Sequence, residues 1–173
     1  MKPETKWIEM KKPPRASPPP CAIAHRIRPY EDTDEGLVYR SYLRSFLKAG
    51  YRIHMVHGVA GASIDDAIYY AGQHAVLDRI LQHAHVSIAC GAEDAWQVLG
   101  FMIHDDLPSG LVLHYLYVKK MFRRAGLATA MIHQQLAGRS KLVHTHYTAP
   151  WRIFARSLKR ADIEAVYDPF LAQ

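Results

Sequence analysis

The spacing of apolar residues changes period several times along the chain, and each change marks an element. "AHRIRPYE" (24–31) reads as a strand. Leu37, Val38, Tyr42, Leu43, Phe46 and Leu47 then recur at helical spacing, with Asp32 and Glu35 resembling an N-cap pair and Gly50 as the stop. A second helix is predicted to start at Ser63 and Asp66. Ile64, Ile68, Ala71 and Ala75 form its stripe, and Leu77, Leu81 and Ala84 continue it on a neighbouring one. The texture then turns to strands: two within 85–106 around a turn at Gly91–Asp94, and a third at 111–118 after "LPSG". A helix follows from about Gly126 to Ala137, with Leu127, Ala128, Met131, Ile132 and Leu136 as its buried stripe and Gly138 closing it. "KLVHTHYT" (141–148) is a strand, Pro150 opens a helix running to about Arg160, and "EAVYDPFL" (164–171) is a last short strand.

Residues 1–20 share none of this patterning. Six prolines and five basic residues fill them, and proline removes backbone donors and favours extended conformers. The chain divides into an extended, basic, proline-rich arm (1–23) and one domain (24–173). The arm reads either as a solvated tail or as a tether to a protein partner, anchored by Trp7 and Ile8. The 173 residues suit one domain, and the apolar (49%) and charged (22%) fractions are those of a soluble globular protein. Cys21 and Cys90 are too few for a disulfide framework, and no apolar run reaches the ~20 residues of a membrane span. The expectation is a cytoplasmic protein without a membrane partner.

Charge sharpens the picture. The net charge is +6, and from Leu107 to Ala161 there is no acidic residue but ten basic ones. They gather around "YLYVKKMFRRAGLATAMIHQQL" (115–136), where a strand gives way to a helix. A diphosphate needs backbone N–H groups converging on one point, and a helix N-terminus provides them with a favourable dipole. Close approach favours a residue without Cβ, which Gly126 is, beside the small Ala125 and Ala128.

The segment "LYVKKMFRRAGLA" resembles the acetyl-CoA loop of the GCN5-related N-acetyltransferase family: an apolar-x-Val strand end (Leu116, Tyr117, Val118), a spacer of four, then Arg123, Arg124, Ala125, Gly126, Leu127 and Ala128. The element order from about residue 24 onward is similar to the family's. The resemblance implies an α/β (α+β) fold with a mixed, mostly antiparallel central sheet flanked by about four helices. It also implies acetyl-CoA as co-substrate, transferred to a primary amine of a small molecule or protein. Leu116–Val118 would pair with the pantetheine arm, amides from Arg124 to Thr129 would hold the pyrophosphate, and the basic side chains would meet the remaining phosphate.

The sequence departs from the family pattern where the chemistry is done. The Tyr that commonly protonates the leaving thiolate falls on Ser157, the Asn before that helix on Pro150, and the frequent Glu of the fifth strand near Thr145. The usual Gly-Phe reads Ala161-Asp162, and the closing hairpin is shortened. Tyr147 and Tyr167 are candidate substitutes for the acid; His114, His144 and His146 are candidates for the base, since imidazole titrates near neutrality, although a structural role is the first reading of each lone histidine. The pairs His83/His85 and His144/His146 can each place two rings on one strand face, but no Cys or carboxylate lies close in sequence, so no metal is expected. The leading reading is an N-acetyltransferase. The alternative is a catalytically degenerate module of this fold docked in a larger assembly, a viral particle among them. Nucleic-acid binding ranks last, because no nucleic-acid motif accompanies the charge.

Overall fold

The computed structural model describes residues 21–48, 65–108, 110–146, 149–160 and 162–172. Six strands form one sheet in sequence order: β1 (His25–Pro29), β2 (His85–Gly91), β3 (Val98–Leu107), β4 (Gly110–Val118), β5 (Lys141–His144) and β6 (Glu164–Tyr167). The first three pairings are antiparallel and the last two parallel, as α-helical crossovers require. Four α-helices flank the sheet among the described residues: α1 (Glu35–Lys48), α2 (Asp66–Leu81), α3 (Leu127–Leu136) and α4 (Ala149–Arg160). No helix among the described residues is long and apolar enough to cross a membrane.

The two sheet faces bury separate cores. Val38, Tyr42, Leu77 and Ile80 of α1 and α2 pack with Ile88, Phe101, Ile103 and Tyr115. Leu127, Met131, Ile132 and Leu136 of α3 join Trp151 and Leu158 of α4 against Leu99, Met102, Leu111 and Leu142. The predicted α3 stripe is therefore the buried one, except that Ala128 is half-buried. On α2 the face differs from the prediction: Tyr69, Gln73, Leu77 and Ile80 are buried, and Ile68 is 68% exposed. The start of α2 also shifts. Asp65 is its cap, accepting from the Ala67 amide at 2.8 Å, whereas Ser63 and Gly50 lie outside the described residues.

The entry to α1 is fixed one residue earlier than the Asp32/Glu35 pair suggests. Glu31 and Asp34 form a reciprocal capping box around a short 3₁₀ turn, Asp32–Asp34. Arg28 of β1 grips Asp34 through two parallel bonds, 2.7 and 2.9 Å long. Burial pushes the Asp34 carboxyl up, but the Arg28 bonds and the Glu31 amide outweigh it and hold the pKa below the usual range. The turn between β2 and β3 is longer than predicted, spanning 92–97, and β5 is shorter, ending at His144 instead of residue 148. The last strand covers only 164–167, followed by a 3₁₀ turn, Pro169–Ala172.

The 1–20 part of the arm lies outside the described residues. Residues 21–23, assigned above to the arm, meet the domain: the Ala22 amide donates to the Ala125 carbonyl at 2.9 Å, and Cys21 and Ile23 pack against the α3–α4 core.

Candidate active site

The parallel pairing of β4 with β5 covers only Leu111–Leu113 against Leu142–His144. One further bond, from the Thr145 amide to the Leu113 carbonyl at 3.1 Å, closes the seam. β4 continues to Val118 while β5 has ended, so Leu116, Tyr117 and Val118 pair with β3 on one side and with no strand on the other among the described residues. An open strand edge of this kind offers amides and carbonyls to an extended ligand.

Beyond Val118 the chain makes a 3₁₀ turn, Lys120–Phe122, and then enters α3 through a left-handed stretch, Arg124 at φ 68° and Gly126 at φ 86°. Glycine adopts that conformation without steric cost; arginine does so against preference, so the turn is held by its surroundings. The Arg123 Nε donates to the Val118 carbonyl at 2.9 Å, and Ala22 fixes the Ala125 carbonyl. The first helical bond runs from the Ala130 amide to the Gly126 carbonyl, and no side chain caps the N-terminus. The amides of Leu127, Ala128 and Thr129 thus precede the helical ladder and point along the dipole. Arg123 and Arg124 are exposed beside them.

A second cluster forms where β4 is irregular. Opposite β3, Ile103 pairs with Tyr115 and His104 with Leu113, so His114 is the extra residue of a β-bulge. The bulge places His114 and Tyr115 side by side, and both are buried. The His114 Nε2 lies 2.9 Å from the Asp105 carboxylate and donates to it; Nδ1 is then the acceptor nitrogen, 3.4 Å from the Thr145 hydroxyl. Burial lowers the His114 pKa and Asp105 partly restores it, leaving the ring below 6.5 and neutral at physiological pH. His83, in the turn after α2, donates from Nδ1 to the same Asp105 oxygen at 2.9 Å.

The other predicted histidines are differently placed. His144 donates from Nδ1 to the His146 carbonyl at 3.1 Å and accepts the Trp151 indole N–H at Nε2, 2.9 Å away. Both nitrogens are engaged, as in a structural ring. The His146 Nδ1 donates to the His114 carbonyl at 2.9 Å, and its Nε2 faces the buried Tyr42 hydroxyl at 3.4 Å. Burial pushes the His146 pKa down to about 4. The Tyr167 ring lies 5.3 Å from that of His144 and is partly exposed on the edge strand. Tyr147 lies outside the described residues, as does the side chain of Ser157, whose backbone falls in α4.

The sequence reading missed the Asp105 partnership. His83 and His85 do not share a strand face, because His83 belongs to the turn before β2. The carboxylate that joins His83 to His114 is 22 residues from one and 9 from the other, reached only through strand pairing. The alternation of β3, which turns polar at "HDD" (104–106), was the available signal. A groove of 710 Å³ lined by Tyr30, His85, His104 and Gln134 shares no residue with the turn or with this cluster.

No protein-family model and no curated protein matches the chain. Solved structures do match. The GCN5-related N-acetyltransferase from Ralstonia eutropha superposes with a TM-score of 0.52 at 19% identity, over 78% of this chain and 91% of that one. A possible acetyltransferase from Clostridium difficile gives 0.50 at 14% identity, over 84% and 94%. With the strand order, the early parting of β4 from β5 and the glycine turn into α3, these likenesses establish that the chain has the fold of the GCN5-related N-acetyltransferases.

Proposed function

We propose that the protein is an acetyl-CoA-dependent N-acetyltransferase that acetylates a primary amine of a small molecule or protein. The observation that carries this reading is the turn. The Leu116–Val118 edge, which meets no strand beyond β3 among the described residues, runs into an uncapped helix N-terminus, through a left-handed Gly126, in a part of the chain without acidic residues. Extended edge and converging amides suit, in that order, a pantetheine amide chain and a pyrophosphate.

Bound acetyl-CoA supplies the acetyl group as a thioester; the acceptor amine forms the C–N bond as the C–S bond breaks. The chain must remove a proton from the attacking amine. His114 suits that role: its Nε2–H is committed to Asp105, which fixes the tautomer and leaves the Nδ1 lone pair to accept. Asp105 also stabilises the imidazolium once formed. The Thr145 hydroxyl, 3.4 Å from Nδ1 and 2.9 Å from the His146 ring, can pass the proton. Thr145 stands near the position where the family resemblance expects a Glu, so the basic function is displaced by one hydroxyl onto the Asp105–His114 pair. Ser157, at the position expected for the thiolate's acid, has too high a pKa to be a strong one. The thiolate, near cysteine in basicity, leaves with little help.

Calorimetric titration with acetyl-CoA tests the site. Saturable binding is expected in the parent and none in Gly126→Glu, which brings a carboxylate and a Cβ to the place of the pyrophosphate. Unaltered affinity in that variant would refute the assignment. Thiol release against polyamines, aminoglycosides, amino acids and peptides then identifies the acceptor class. Tight acetyl-CoA binding with no thiol released by any amine would favour the docking-module reading.

A further inference from the structure

The bond pattern around Asp105 has a second chemical use. His83 Nδ1, Asp105 Oδ2 and His114 Nε2 all lie within 4.8 Å of one another, and both nitrogens are 2.9 Å from the same oxygen. They come from three elements: the turn after α2, β3 and the β4 bulge. Two imidazoles and a carboxylate are the donor set of many three-ligand zinc sites, with water in the fourth position. Access differs along the cluster: the His83 side chain is 44% exposed, Asp105 19% and His114 fully buried. A cation would enter past His83 and rest against the buried His114 ring.

We propose that His83, Asp105 and His114 bind a divalent transition-metal ion of the zinc class. The ion would replace the two N–H···O bonds by coordinate bonds, with the carboxylate balancing one of its charges. Each neutral ring would keep one proton, moved to its other nitrogen: His83 Nε2 towards solvent and His114 Nδ1 towards the Thr145 hydroxyl. Such an outer hydrogen bond orients a metal-bound imidazole. A consequence follows that rests on the reading of His114 as base. With the metal on Nε2 the proton sits on Nδ1, so the lone pair needed by the amine is gone. Metal occupancy and proton abstraction exclude each other, and the ion is an inhibitor.

The test uses the full chain, stripped with a chelator and titrated with Co²⁺ and Zn²⁺. Expected are one saturable site, visible Co²⁺ bands of low-symmetry N/O coordination without thiolate charge transfer, and loss of affinity by roughly tenfold or more in His83→Gln, since even outer-shell partners are worth about that. His83 is half-exposed, so the variant should fold, and an unchanged melting temperature checks this. Failure of the parent to bind, equal affinity in His83→Gln, or a thiolate band pointing to cysteine would overturn the proposal. Inhibition is read separately, as acetylated product by mass. Zn²⁺ should suppress turnover in the parent and not in His83→Gln. If Co²⁺ binds at the cluster while turnover is indifferent to it, the metal site stands and the assignment of His114 as base falls.

Discussion

At the residue scale, the three histidines near the β4–β5 seam are separated by what their second nitrogen does. His144 spends both nitrogens on Trp151 and a carbonyl, and His146 presents its lone pair to buried Tyr42. His114 alone of these has a carboxylate on one nitrogen and a hydroxyl on the other. Replacement of His114 by Gln should therefore lower kcat/KM about a hundredfold, within the ~10²–10⁴ of general acid–base groups, while Ser157→Ala should cost only about tenfold. The pH profile follows from the sign of the shift. Only the neutral ring accepts a proton, and burial holds the His114 pKa below 6.5, so kcat/KM should fall on the acid side with its midpoint below that value. A profile unaltered in His114→Gln would place the base elsewhere. None of this division was readable from residue identities. Asp105 meets His114 across a β-hairpin, and His83 meets Asp105 over a helix–strand turn, so neither contact has a sequence period.

At the element scale, what was legible was local. The α3 stripe and the Arg-Arg-Ala-Gly-Leu-Ala turn are written within one or two helical turns, and Leu127, Met131, Ile132 and Leu136 are buried where the spacing puts them. The α2 face was misjudged because Tyr69 and Gln73 are amphipathic or polar by type, and tertiary packing overrode type: Tyr69 is 3% exposed while Ile68 faces out. The predicted β5 is too long because its pairing with β4 ends with the single Thr145 bond after His144, and "HTHYT" has no alternation to mark that. The β3–β4 hairpin carries the open edge, and at Gly100 the two strands leave no room for a side chain. A Cβ there would lie 2.4 Å from the Tyr117 carbonyl oxygen and 3.2 Å from the Val118 Cα. Those atoms are backbone and cannot step aside, so Gly100→Ala must shift β4 relative to β3. The expected cost is about 1–3 kcal/mol, as for overpacking elsewhere, together with weaker acetyl-CoA binding, because the displaced residues are the proposed pantetheine edge. Denaturant melts and calorimetry measure the two effects; full stability would show that the strands are not so closely apposed.

At the scale of the whole molecule, burial of neutral imidazoles makes the fold acid-sensitive. His104, His144 and His146 all have pKa values lowered by burial from 6.5, His146 to about 4. Above pH 6.5 neither folded nor unfolded chain protonates these rings. Below it the unfolded chain takes up protons that the folded rings refuse, so stability declines until the folded values are reached. The melting temperature should thus drop between pH 7.5 and pH 5; a level curve would mean that the rings charge freely in the fold. The arm gives the other whole-molecule test. The six prolines of residues 1–20 carry the expectation that this segment adds no core, whereas Ala22 holds the Ala125 carbonyl beside Gly126 and Ile23 packs against the α3–α4 core. Removal of residues 1–20 should leave the melting temperature within a few degrees and acetyl-CoA affinity unchanged. Removal of residues 1–23 deletes the strut behind the proposed phosphate turn. The lost hydrogen bond, worth ~1 kcal/mol, should weaken acetyl-CoA about fivefold if it restrains the turn in its binding conformation. Equal affinities in the two truncations would show that Gly126 and Arg124 keep their left-handed geometry unaided. A large loss of stability on removing only residues 1–20 would assign that segment to the core of its own domain.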